Sequence, residues 1–160
     1  MQLFVLTFVA SLIASVVAAP TPSTCPSSVV STDESLEIIR TRKVASSTSP
    51  FSQGIVSGDH LYISGMLPVS PDTGKIVGEG DFAAQTRAVL NNVQAVVEAA
   101  GSNLGKVVKV NAYLTDLKNF ETFNMVYAEV FGNHKPARSA LNVPSILMGA
   151  DIEIEAVVRL

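Results

Sequence analysis

At 160 residues, with 48% hydrophobic and 16% charged side chains, the chain is long enough for one ordinary domain with its own core. A net charge of −3, a sequence pI near 5.3 and a single basic cluster at Arg40, Arg42 and Lys43 leave no stripe able to neutralise a run of phosphates, so nucleic acid is not an expected partner. The lone cysteine, Cys25, can form no disulfide within the chain, and His60 and His134 lack ligand-type spacing, so no metal is expected.

Residues 1–19, "MQLFVLTFVASLIASVVAA", are uncharged, apolar from Leu3 to Val17 and end in small residues. That pattern predicts a secretory signal peptide cleaved after Ala18 or Ala19, and hence a secreted mature chain with no membrane segment. The alternative is a signal left uncleaved as an anchor or a chain retained in the secretory pathway; the run is short for a membrane span. Residues 20–35, "PTPSTCPSSVVSTDES", are rich in Pro, Ser and Thr and read as a flexible linker.

A folded domain is expected over residues 36–160. "LEIIRTRKVA" and "GIVSGDHLYISG" carry β-branched and aromatic residues between turn formers, as strands of an antiparallel meander do, and "SPDTGK" is a turn. In "GDFAAQTRAVLNNVQAVVEAAG" the period changes: Phe82, Thr86, Val89, Leu90, Val93, Val96, Val97 and Ala100 recur at three and four, with Asp81 placed to cap the start and Gly101 to end it. "KVVKVNAYLT" follows as a strand, then "LKNFETFNMVYAEVFG" as a second helix with Phe120, Phe123, Tyr127, Val130 and Phe131 on one face and Gly132 closing it. Ser139–Val143 and "DIEIEAVV" complete the set as strands.

This order predicts an α+β fold, a mixed sheet with two amphipathic helices on one face. The last strand sets Ile152, Ile154 and Ala156 against the helices, leaving Glu153, Glu155 and Val157 on the other side. A partly apolar sheet face that its own chain does not cover points to an oligomer.

Three polar residues stand out against that packing. Arg138 opens a strand, Glu153 lies mid-strand on the uncovered face, and Asn124 falls on the apolar side of the second helix. Each has an ordinary structural reading: a snorkelling arginine, a solvated strand residue, an amide tying down a loop carbonyl. Together they suit a small anion, because arginine grips a planar carboxylate through two parallel hydrogen bonds and a nearby carboxylate can orient water or exchange a proton. No GxSxG, GxxxxGK or GxGxxG motif occurs, so no organic cofactor is expected either.

"KPARSALNV" followed by "DIEIEAVV", with "SPFSQGI", "YISGMLPVSPDTGKIV" and "NNVQAVVEAAGSNLGKVVKVNAYLTDLKNFETFN" in collinear order over residues 43–160, resembles the Rid family of reactive-intermediate deaminases, also called the YjgF or L-PSP family. The resemblance implies a chorismate-mutase-like fold and a homotrimer with clefts between subunits. It also implies cofactor-independent hydrolysis of 2-imino acids such as 2-iminobutanoate and 2-iminopropanoate to 2-oxo acids and ammonia. By the same matching Arg138 would bind the substrate carboxylate and Glu153 would position water or relay its proton, while Phe51, Ser64, Gly65, Asn124 and Ala140 would line the cleft. The sequence departs from the family pattern at Phe51, where Tyr is typical, at Ala140, where Cys is common, and at Met66, where Gln often stands. Beside the deaminase, two other readings remain: a trimeric carboxylate binder that has lost efficient chemistry, for which Phe51 is the discriminating feature, and a ribonuclease, which the acidic charge opposes.

Overall fold

The structure, a computed structural model, describes residues 36–160. The expected signal peptide (1–19), linker (20–35) and Cys25 lie outside the described residues.

Eight main elements follow one another: β1 (Glu37–Ile39), β2 (Gly54–Ser57), β3 (His60–Met66), α1 (Phe82–Ala99), β4 (Val107–Leu114), α2 (Phe120–Phe131), β5 (Ala137–Asn142) and β6 (Ile152–Arg159). The strands form one sheet in the order β1-β2-β3-β6-β4-β5, antiparallel throughout except for β4 and β5. A parallel pair needs a crossover, and α2 supplies it. The expected α+β class, with a mixed sheet and two helices, is therefore the observed one.

Three strands differ in extent from the sequence reading: β5 starts at Ala137, two residues before the expected Ser139, and the other two differences lie before α1. "LEIIRTRKVA" contributes only the three residues of β1. "GIVSGDHLYISG" is two strands, because Gly58 takes a left-handed conformation at φ 59° and reverses the chain beside Asp59. Apolar residues fill both arms of the hairpin, Ile55 and Val56 before the turn and Leu61, Tyr62 and Ile63 after it, so hydrophobicity alone reads across the turn.

α1 begins where Asp81 accepts a hydrogen bond from the Ala84 amide, at 3.0 Å, and gives way after Ala99 to Gly101 at φ 75°. Its buried side includes the expected Val89, Leu90, Val93, Val96 and Val97, packed on Leu61, Ile63, Val110, Ile154 and Val158 of the sheet. Each such burial stabilises the fold by about 1.5–3 kcal/mol before the entropy of ordering is set against it. Two polar residues share that side. Asn92 donates to the Leu67 and Val69 carbonyls, at 2.8 and 3.0 Å; Gln85 donates to Asp151 and accepts from its amide, both at 2.8 Å. These amides satisfy backbone groups of the connections around α1, which is why they are tolerated in the core.

α2 starts at Phe120, later than the sequence pattern suggests, because Asp116 caps the Lys118 amide and the chain first makes a 3-10 turn over Leu117–Asn119. Its aromatic side chains stack along the helix: Phe120 on Phe123, Phe123 on Tyr127 and Tyr127 on Phe131, with ring centroids 6.3, 5.4 and 4.4 Å apart.

Both helices cover one face of the sheet. On the other, Ile38, Ile55, Tyr62 and Val157 stand in one cross-strand row, with Ile38 55% and Tyr62 51% exposed. An apolar row this open is the uncovered face that the sequence led us to expect.

Candidate active site

The candidate residues fall into two groups, one on each side of the sheet. The first is built on α2 and the edge strand β5. Arg138 is in register with Val110, a fully buried residue of the helix-covered side, and so points toward α2. There its guanidinium carbon lies 4.7 Å from the ring centroids of Phe123 and Tyr127 and 5.6 Å from that of Phe120. The aromatic stripe that packs α2 is thus also a cradle for the cation. One guanidinium nitrogen donates to Asn124 Oδ1 at 2.7 Å. Among the described residues no carboxylate pairs with Arg138, so its other donors are free to take an anion. Burial pushes the Tyr127 phenol up to about 12, with Arg138 pulling the other way, so the cradle stays neutral. Ala140 lies on the same side of β5, opposite Ala112 and packed against the core.

The second group is built on β3, β6 and the loop before β2. Glu153 is in register with Tyr113 and points to the open face. Its carboxylate is half-buried, and burial, followed by the nearby Glu155 charge, raises its pKa above the ordinary carboxylate value. The carboxylate lies directly over Gly65, where even a methyl group would collide with Oε1. Gly65 and Ser64 form a bulge in β3: between the pairs Ile63–Ala156 and Met66–Ile154, β3 has two residues and β6 has one. Ser64 then holds the preceding loop, its amide donating to Gln53 O at 3.1 Å and its hydroxyl to Ser52 O at 2.6 Å. That loop carries Phe51, whose ring is 50% exposed.

The structure therefore brings Arg138, Asn124 and Ala140 together, and separately Glu153, Ser64 and Gly65 beside the loop of Phe51. It does not join the two groups within one chain. The open cleft of 460 Å³ lined by Lys106, Val107, Val108, His134 and Arg159 contains none of these residues. His134 Nε2 donates to the Val107 carbonyl at 2.7 Å, and His60 Nδ1 meets Asp59 at 2.6 Å.

Sequence reasoning treated Phe120, Phe123 and Tyr127 as core alone; their second role depends on where β5 passes. It also made nothing of Asn111 and Tyr113, which both donate to Glu155 on the open face. Three polar residues at alternate positions of β4, Lys109, Asn111 and Tyr113, were the available signal.

The chain is thus an α+β domain with a cradled arginine on one side of its sheet and a half-buried glutamate on the other. The family model described as Endoribonuclease L-PSP matches residues 41–160. A RutC family protein of Pyrococcus horikoshii is 46% identical over 121 residues, covering 76% of this chain and 95% of its own. Reactive Intermediate Deaminase A, chloroplastic, of Arabidopsis thaliana is 36% identical over 133 residues, covering 83% of this chain and 71% of its own. Among solved structures, a Rid-family protein of Yersinia pestis superposes with a TM-score of 0.77 at 38% identity, covering 79% of this chain and all of its own. E. coli TdcF, solved with bound serine, superposes with a TM-score of 0.74 at 36% identity, covering 78% and 98%. The chain belongs to the Rid (YjgF/L-PSP) family.

Proposed function

We propose that the protein is a cofactor-independent deaminase that hydrolyses 2-imino acids, of the 2-iminobutanoate and 2-iminopropanoate type, at clefts between the subunits of a homotrimer. The observation that carries this reading is the division of the candidate residues between opposite sheet faces. An arginine with unpaired donors at one edge and a half-buried carboxylate on a partly apolar open face are complementary halves, and a second copy that covers the open face can bring them together. The relative named Reactive Intermediate Deaminase A supports the reaction class, and the serine bound to E. coli TdcF supports a small amino-acid-like carboxylate as ligand.

In this reading Arg138 takes the substrate carboxylate through its free donors, while Asn124 and the aromatic rings hold the guanidinium still. Water held by ionised Glu153 adds its oxygen to the iminium carbon and passes one proton to the carboxylate, giving a neutral carbinolamine. Glu153 returns that proton to the nitrogen; the carbon–nitrogen bond breaks, the hydroxyl proton leaves with the nitrogen, and the products are a 2-oxo acid and ammonium. The iminium is already electrophilic, so anchoring and a positioned water supply the acceleration by proximity.

The test is ammonia release from 2-iminobutanoate generated in situ by a dehydratase. Arg138→Ala should lower kcat/KM by about 10- to 100-fold, the worth of a charge-assisted fork. Equal rates for the two proteins would remove Arg138 from the site.

A second reading, a trimeric carboxylate binder without efficient chemistry, is favoured by Phe51, which has no hydroxyl to offer a water. In that case a 2-oxo acid binds with Arg138-dependent affinity and no ammonia is released.

A further inference from the structure

Glu155 is the other carboxylate of the open face, and one of its oxygens is doubly held. Oε1 accepts from Asn111 Nδ2 at 2.7 Å and from Tyr113 Oη at 3.0 Å. The register sets Asn111 opposite Glu155 but Tyr113 opposite Glu153, so the phenol reaches diagonally from one glutamate's position to the other's carboxylate. Glu153, two residues earlier on the same side of β6, accepts no hydrogen bond among the described residues and rests over Gly65.

Two carboxyl groups two residues apart on one strand face feel each other's charge, and hydrogen-bond donors favour the charged form of the carboxylate they meet. Glu155 is fixed as an acceptor by two donors. Glu153 has none, is half-buried, and feels the charge of Glu155. The other groups facing it are few. Tyr113 stands across on β4, its phenol pushed up first by its hydrogen bond to Glu155; β3 presents the uncharged Ser64 and Gly65; Lys109, further along β4, is engaged with Ser139 Oγ at 2.9 Å.

We propose that Glu155, held by Asn111 and Tyr113, is a positioning residue that acts through Glu153 and makes it the carboxyl group that carries the proton in the hydrolytic cycle. This rests on the deaminase reading for its use, whereas the coupling between the two carboxyls rests on their shared face of β6 and on the diagonal reach of Tyr113. It also gives the phenol of Tyr113 a part in the site of a chain whose position 51 lacks one.

The deciding experiment follows the Glu153 side-chain carboxyl by carbon NMR across pH in the intact protein, in wild type, Glu155→Gln and Tyr113→Phe. Glutamine keeps the acceptor oxygen and the shape while removing the charge. The Glu153 midpoint should move to lower pH in Glu155→Gln, and less far in the same direction in Tyr113→Phe, which only loosens Glu155. The acid limb of the kcat profile should move with it, while KM for the imine stays within about twofold because Arg138 is untouched. A Glu153 midpoint that is the same with and without the Glu155 charge overturns the proposal. The titration needs no substrate, so absence of ammonia release from wild type would defeat the deaminase reading and leave the coupling to be judged separately.

Discussion

Arg138 and Glu153 stand on opposite faces of one sheet, the first in register with buried Val110 and the second with Tyr113 on the open side. No side-chain rotation within a chain joins them. If both act on one substrate, they come from different copies. Mixing Arg138→Ala with Glu153→Gln after dissociation and reassembly should then restore activity: at equal amounts and random assembly, about one interface in four carries both native residues. A mixture as inactive as either variant alone would place the chemistry within single chains or elsewhere.

Gly65→Ala should separate stability from activity. The added methyl collides with the movable end of the Glu153 side chain rather than with backbone, so the carboxylate swings aside at small cost to the fold. Thermal melting should stay close to wild type while ammonia release falls by about tenfold or more, as expected when a proton-carrying group is misplaced.

Phe51→Tyr returns a hydroxyl to a half-exposed ring in the loop that Ser64 holds. If that hydroxyl assists the attacking water, kcat should rise by about tenfold or more with little change in the affinity for a stable 2-oxo acid. An unchanged kcat would make the aromatic a wall of the cleft and nothing else.

Glu153 also predicts a pH dependence of stability. Its folded pKa is raised above the ordinary 4.5, chiefly by burial, so across that window the folded state keeps a proton that the unfolded chain has lost. Stability from this group is therefore present at low pH and is lost as pH rises through the folded pKa, the reverse of a salt-bridged carboxylate. Urea unfolding of wild type and Glu153→Gln at several pH values should show glutamine gaining on glutamate as pH rises, with no activity to match. A difference that does not vary with pH would mean that the carboxylate is as well solvated folded as unfolded.

For residues 1–19 the expectation is cleavage. N-terminal sequencing of protein secreted by a eukaryotic host should find a mature chain beginning at Ala19 or Pro20, and a product still starting at Met1 would identify an uncleaved segment.

Local chemistry made the elements legible before any coordinates. The change of hydrophobic period at Phe82, the cap at Asp81 and the alternation of Ile152, Ile154 and Ala156 each depend only on neighbours along the chain, and each is found in the structure. The hairpin at Gly58 was missed although it was legible: Gly58-Asp59 between two apolar runs is a local signal for a two-residue turn, and the left-handed glycine makes it. The sequence also pointed to Arg138, Glu153 and Asn124 as polar residues at odds with an apolar setting, although it could not say which would meet. That depended on strand order. Placing β6 between β3 and β4, and running β5 parallel to β4 through the α2 crossover, puts Arg138 against three aromatic rings and Glu153 against Gly65, contacts between segments far apart along the chain. Side-chain alternation says only that a residue faces one side or the other; which partners wait there is set by the register of strands, and register is a property of the whole sheet.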